Sequence, residues 1–337
     1  MIKVSVILPV YGVSEYIEKC TESLLNQSIK EVEYIFVDDH GPDNSIELAK
    51  NKIKGSSKES QFKFIRPPHN LGAGMARNYA LSFALGEYIA FVDSDDWIEP
   101  TMLEELYNKA LEFNKCDICI CEAFKDFSDG RNSIILKSPQ VESGCFSAKN
   151  KKYFLVNYVS YFWTFLYKKE FLENNQIQYP QERSADDSYF VACSIMKANS
   201  LAYVNKPFYH YIIRPGSICT TKDATKYKKR LCVFNHLMNY AQKDDTYTLY
   251  KDEIDFIFIK KGYISTLFNY AINTTYSCDE SIAEIYSNLL SHVPEPQNNK
   301  YVKKSVKVKL ILWSIKNFPK FTIRIMRKLG KIYNMTV

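Results

Sequence analysis

Residues 87–96 read EYIAFVDSDD: an uncharged apolar run from Tyr88 to Val92, then Asp93, Asp95 and Asp96 within four positions. A short continuous run of aromatic and β-branched residues is the pattern of a strand buried on both faces. The carboxylates that follow place negative charge where that strand leaves the core. The same form recurs upstream in VSVILPV (4–10), VEYIFVD (32–38) and FKFIRP (62–67), and downstream in CDICIC (116–121). Helical spacing fills the gaps. Ser14 is placed to cap a helix carrying Ile17, Cys20, Leu24 and Leu25, Asp43 or Asn44 to cap one through Leu48, and a third runs from Gly72 through Ala76, Ala80 and Phe83. Strict alternation predicts an α/β fold, a mostly parallel sheet with helices on both faces. Ligands of such sheets collect beyond the carboxyl ends of the strands. Pro9, Tyr11, Asp38, Asp39, Asp93, Asp95 and Asp96 are therefore expected along one edge.

The chain has 337 residues, enough for a large core and for two units. At 46% hydrophobic and 24% charged, its composition is that of a folded protein rather than a disordered one. The opening MIKVSVILPVYG reads as a strand, too short in apolar residues for a signal-peptide core, and no run reaches the roughly 18 apolar residues of a spanning helix. A cytoplasmic protein is the expectation, with nine cysteines reduced. Cys116 and Cys119 have a zinc-like spacing, but no second pair or nearby His-x-x-x-His completes a site, and core packing is the stronger reading. Charge is unevenly placed. Residues 300–337 carry 11 Lys and Arg and no Asp or Glu, leaving 33 basic against 38 acidic side chains in the remainder. Such a tail suits an anionic surface.

Clustered carboxylates at a strand end can chelate a hard divalent cation, typically with one or two protein oxygens. The alternative is a polar turn in which Asp95 or Asp96 caps the helix starting near Pro100. Asp38 and Asp39, before a Gly-Pro pair, can accept from a nucleobase or ribose, or form an Asx turn. In NLGAGMARNYA, Gly72 and Gly74 open a helix and let backbone amides or Arg77 approach a phosphate. The GxxxxGK of a P-loop is absent.

Taken together and in order, VSVILPVY, VDDHGPDNS, NLGAGMARNYAL and GEYIAFVDSDDW resemble family 2 glycosyltransferases, inverting enzymes of the Rossmann-like GT-A fold. The likeness continues with WTFLYKKEFLE (163–173), DDSYF (186–190) and RPGSI (214–218), which resemble the acceptor side of members that build bacterial surface polysaccharides and lipooligosaccharides. The resemblance implies a UDP-sugar donor, a saccharide acceptor and Mn²⁺ or Mg²⁺. It implies that Pro9 and Tyr11 line the uracil pocket, that Asp39 holds the uracil edge and that Arg77 faces the nucleotide or its phosphates. Asp93 would contact ribose or donor sugar, Asp95 would bind the metal as the last residue of the DXD motif, and Asp96 would hold the sugar. Asp187 falls at the catalytic base, while Asp186 stands where the family usually has Glu. Arg214 and Ser217 are placed to meet the diphosphate, with a surface turn as the alternative.

The resemblance divides the chain into a GT-A domain over 1–225 (nucleotide-sugar half 1–110, acceptor half 111–225), a helical extension over 226–296 and a basic tail over 297–337. A QxxRW motif, found in processive members, is absent, so one sugar per encounter is expected. Tyr161, Phe162 and Trp163 are either an acceptor platform or core. His210, on a strand, is read as core or hydrogen-bonded rather than as a metal ligand. In the tail, Phe321, Ile325, Leu329 and Ile332 share one helical face beside Lys320, Arg324, Arg327 and Lys331, the arrangement of an interfacial helix on an anionic membrane. Packing on the protein itself or in a homodimer is the alternative. Rival functions are a catalytically silent sugar-nucleotide scaffold and a nucleotidyltransferase, though no basic phosphate loop follows the first strand. Nucleic acid is not an expected partner, because the body is acidic and no nucleic-acid module is present.

Overall fold

A computed structural model describes residues 1–213, 226–274 and 279–336, with side chains through 330. These residues form two units, one of residues 1–183 and 190–213, the other of residues 184–189, 226–274 and 279–336.

The first unit is built on one sheet. In chain order its elements are β1 (Val4–Val10), α1 (Ile17–Leu25), β2 (Val32–Asp38), α2 (Ser45–Ile53), β3 (Phe62–Ile65), α3 (Ala73–Leu81), β4 (Tyr88–Phe91), β5 (Trp97–Ile98) and α4 (Met102–Glu112). There follow β6 (Ile118–Phe127), β7 (Ile134–Leu136), β8 (Gly144–Cys145), α5 (Ala148–Asn157), β9 (Phe165–Lys168), α6 (Lys169–Asn174), α7 (Asp186–Lys197), whose first four residues group with the second unit, and β10 (Ser200–Ile213). The strand order is β3-β2-β1-β4-β9-β6-β10-β5. β3, β2, β1 and β4 are all parallel, as the alternation predicts. Beyond β4 the sheet is mixed, because β9 runs antiparallel to both β4 and β6. That reversal was not legible in the irregular pattern after residue 125.

All seven residues of β1 are buried, which is why it reads as an unbroken apolar run with a single polar exception, Ser5. That exception is satisfied by a second buried polar residue. Glu33 on β2, 1% exposed, accepts from the Ser5 hydroxyl at 2.5 Å, from Lys63 Nζ on β3 at 2.7 Å and from the Leu85 amide at 2.6 Å. Burial pushes the Glu33 carboxyl up in pKa, but Lys63, Ser5 and the Leu85 amide outweigh it and hold the group below its ordinary value. Three strands and the turn before β4 are thereby tied to one carboxylate. Cys116, Cys119 and Cys121 are buried, as core packing predicts.

Of the two expected helix caps, one forms and the other does not. Asp43, not Asn44, serves the start of α2, accepting from the amide and hydroxyl of Ser45. Asp43 also takes the Ser14 amide, so Ser14 does not cap α1.

The second unit is helical: α8 (Lys226–Ala241), α9 (Thr246–Leu249), α10 (Lys251–Ile257), a π-helical stretch Phe258–Ile264, α11 (Ser265–Asn273), α12 (Asp279–His292), α13 (Lys300–Lys304), α14 (Val306–Asn317) and α15 (Pro319–Thr336). α15 packs on α11 through Ile323 and Met326, and Arg327 Nε donates to the Ala271 carbonyl at 3.0 Å. The tail therefore packs on its own unit through one face.

Gly86 lies so close to β1 that a Cβ there would meet the Ser5 amide nitrogen at 2.4 Å and its hydroxyl oxygen at 2.7 Å. Gly86→Ala is expected to lower stability by about 1–3 kcal/mol, read as a drop in the urea midpoint of unfolding, because the obstacle is backbone and cannot swing away.

Candidate active site

β1, β2 and β4 are adjacent and parallel, so the residues after them share one edge. The Asp39 amide donates to the Val10 carbonyl at 3.1 Å, Val92 to Ile7 at 3.1 Å, and the Ser94 hydroxyl to the Pro9 carbonyl at 2.7 Å. The edge expected from the sequence forms: Pro9, Tyr11, Asp38, Asp39, Asp93, Asp95 and Asp96 stand along it. Tyr11 is 53% exposed, its ring open to a planar ligand, whereas Pro9 is buried in β1.

Asp39 is buried and anchors the loop before α3. Its carboxylate accepts from the Leu71 amide at 2.6 Å, the Gly72 amide at 2.8 Å and the Asn70 side chain at 3.2 Å. Those bonds shape the Gly72 turn, where φ is +80° and a Cβ would collide with the Arg183 side chain at 2.3 Å. Arg183 also donates to the Asn70 carbonyl at 3.0 Å.

The DSDD segment is held from the far side of the sheet. Tyr209 on β10 is fully buried, and its hydroxyl donates to Asp96 Oδ2 at 2.8 Å while accepting from the Asp93 amide at 3.0 Å. Asp96 Oδ1 takes the Ile212 amide at 2.8 Å. Burial pushes the Asp96 carboxyl well above the usual range, and the neighbouring Asp95 and Asp93 carboxylates push it further. The α4 helix begins only at Met102 with Thr101 at its cap position, so neither Asp95 nor Asp96 caps it. Asp96 is 2% exposed, and both of its carboxylate oxygens are bonded within the unit.

Arg77 is 4% exposed and donates to Asp93 Oδ1 at 2.5 Å. Its guanidinium lies 4.3 Å from the Phe162 ring centroid and 5.1 Å from that of Tyr179. Asp93 keeps 27% side-chain exposure. Asp95, half-buried, and Asp96 lie on the wall of a pocket of about 300 Å³ that Glu15, Lys19, Trp97 and Asp126 also line. Lys19 Nζ sits 4.2 Å from the Trp97 ring centroid.

His210 is hydrogen-bonded, as expected: Nδ1 to Asp126 at 2.7 Å and Nε2 to Glu99 at 3.0 Å, with its ring stacked on Trp97 and Phe124. Phe162 and Trp163 are core, and Trp163 stacks on Tyr209 with centroids 4.2 Å apart. Asp186 and Asp187 open α7 in the second unit, half-buried, directly after Ala185 at φ 63°. Arg214 and Ser217 lie outside the described residues.

Tyr209, Asn70 and Arg183 were missed from sequence. Tyr209 lies in an aromatic strand, and nothing in PFYHYII distinguishes a hydroxyl aimed at two aspartates from one that points into packing.

A strand edge carrying three clustered aspartates and an exposed aromatic ring beside a pocket defines a ligand-binding α/β enzyme site. The sequence profile described as "Glycosyl transferase family 2" matches residues 5–175, and the chain belongs to that family and is a glycosyltransferase. The uncharacterized glycosyltransferase EpsJ of Bacillus subtilis (strain 168) is 31% identical over 250 residues, 69% of this chain and 70% of that protein. Among solved structures, S. aureus TarS 1–349 in complex with UDP matches with a TM-score of 0.69 at 21% identity, over 98% of this chain and 91% of that one. The mannosyltransferase PcManGT of Pyrobaculum calidifontis, in complex with GDP-Man and Mn²⁺, matches at 0.51 and 14%, over 97% and 84%. The fold is GT-A with a C-terminal helical region.

Tyr209→Phe is expected to lower stability by about 1–3 kcal/mol in urea unfolding. The change removes the donor to a buried carboxylate and leaves the Asp93 amide without its acceptor.

Proposed function

We propose that this glycosyltransferase is a metal-dependent, inverting, non-processive enzyme that moves a sugar from a UDP-sugar to a saccharide acceptor, a lipid-linked or surface-polysaccharide precursor. The observation that carries the reading is Asp95, beside Asp93 and Asp96 on the wall of the pocket at the sheet's carboxyl edge. Three clustered carboxylates, of which Asp96 is pushed well above the usual range by burial and by the other two, fit a hard divalent cation, since an all-oxygen donor set of that kind suits Mg²⁺ or Mn²⁺. Asp95 would hold it, and the UDP complex of TarS and the Mn²⁺ complex of PcManGT are in line with that assignment. When bound, such an ion neutralises charge growing on a departing diphosphate.

The chain's own residues do the rest. Tyr11 offers a ring to the base, and the loop that Asp39 anchors bounds the nucleotide side. Arg77 and the Tyr209 hydroxyl fix Asp93 and Asp96, leaving the exposed part of Asp93 for ribose or donor sugar. Arg214 and Ser217 are assigned to the diphosphate and Asp186 to the donor sugar, on sequence alone. Asp187 takes the proton from the acceptor hydroxyl as that oxygen attacks the anomeric carbon from the face opposite the leaving group, which inverts the centre. The basic tail is read as the contact with an anionic membrane surface at the cytoplasmic side. Among the described residues no helix is long and apolar enough to cross a membrane.

With UDP-glucose, UDP-galactose, UDP-GlcNAc and UDP-GalNAc tested in turn with Mn²⁺ or Mg²⁺, at least one is expected to be hydrolysed slowly without acceptor, and chelation to abolish it. Asp187→Asn is expected to cut transfer by about 10²–10⁴-fold with UDP binding kept. Full transfer by that variant would refute the base, and inactivity with all four donors the UDP assignment.

A further inference from the structure

Seven of the sixteen exposed large apolar side chains among the described residues fall between Val306 and Leu329, so the tail is the main apolar surface of the chain. They are ordered by helix periodicity. On α14, Val308, Leu312 and Ile315 are buried, while Val306, Leu310 and Trp313 stand on the opposite face, 67%, 59% and 58% exposed. On α15, Ile323, Met326 and Gly330 face α11, and Phe321, Ile325 and Leu329 face outward. Trp313 and Phe318 meet at the corner between the helices, ring centroids 5.6 Å apart. Each helix thus has two apolar faces, and its own unit uses only one.

The side chains that α14 and α15 themselves place beside the outward face are all cationic or neutral, and of these Lys320 is paired with Asp279 of α12 at 2.9 Å. Lys307, Lys309, Lys316, Arg324 and Lys328 are exposed, and none of the five has an acidic partner among the described residues. We propose that α14 and α15 are a preassembled two-helix docking face whose outward apolar side chains enter the interface of an anionic lipid leaflet. The inference deepens the tail reading above and rests on it. It adds that α14 takes part and that the face is folded before it meets the membrane, because the inner faces of both helices are already packed. Such a surface does not incur the ordering entropy that a tail folding on contact would.

The occupant follows from chemistry. Apolar side chains flanked by Lys and Arg are matched by an acyl boundary beneath anionic headgroups, to which each basic residue adds attraction. A second copy of the face would bring its own cations against these. Nucleic acid would satisfy the charge but leave aliphatic Val306, Leu310, Ile325 and Leu329 with nothing to stack on.

The test uses the full chain and sedimentation with vesicles of phosphatidylcholine alone or mixed with phosphatidylglycerol. The chain is expected to bind the mixed vesicles at least roughly tenfold more tightly, with a blue shift of Trp313 emission that Trp313→Phe abolishes. A variant with Leu310, Trp313, Phe321 and Ile325 changed to Ser is expected to lose at least roughly tenfold in binding at low and high salt, its circular dichroism and melting temperature unchanged because all four are exposed. Changing Lys307, Lys309, Arg324 and Lys328 to Gln should remove only the preference for the anionic lipid. The proposal is overturned if the Ser variant binds as the parent does, if both vesicle types bind equally, or if the chain binds duplex DNA and no vesicles. It is equally overturned if the parent is a dimer, the Ser variant a monomer, and vesicle binding absent from both. No sugar nucleotide is present in these assays, so their failure is separable from failure of the transferase reading.

Discussion

The hydroxyl of Tyr209 is the point on which the site depends. It donates to one aspartate and accepts from the backbone of another three residues away, so one buried group fixes both ends of the turn carrying Asp95. Negative charge concentrated in four residues is costly in a dry environment, and burial together with Asp95 and Asp93 accordingly pushes the Asp96 carboxyl up. The fold offsets it with Arg77 on Asp93, and with Tyr209 and the Ile212 amide on Asp96. Asp95 stays partly open, between neighbours held by the rest of the unit. The turn is preorganised, since the carboxylates flanking Asp95 cannot move away to relieve repulsion.

The same principle governs the loop before α3. Asp39 accepts the two amides of Leu71 and Gly72 and so dictates how the chain enters α3. The carboxylate thereby shapes the loop beside it. Arg77 follows the same pattern. Its cation lies against the rings of Phe162 and Tyr179 and is paired with Asp93.

Two buried carboxylates illustrate how burial and partners decide ionisation. Glu33 and Asp96 are both nearly without exposure, yet Glu33 is held below its ordinary pKa and Asp96 well above it. The difference is company: Glu33 has the Lys63 ammonium within 2.7 Å, whereas Asp96 has two further carboxylates nearby. The first arrangement stabilises a sheet, and the second is suited to a cation from outside.

The parallel half of the sheet, the helices between its strands and the edge where the aspartates gather were legible in the sequence, because strands buried on both faces must be written as unbroken apolar runs. The family was legible too, since its motifs cluster at that edge, and so was the basic tail. The tertiary structure alone decided which acidic residues point outward and which are held. EYIAFVDSDD cannot show that Asp96 answers to Tyr209 more than a hundred residues later, nor that Arg77 is enclosed by aromatic rings from distant segments. It also decided which of the two apolar faces of α14 and α15 is packed. A helix written with apolar residues on opposite sides states that both need cover, and only the neighbouring elements, α11 for α15 among them, show which one the protein itself supplies.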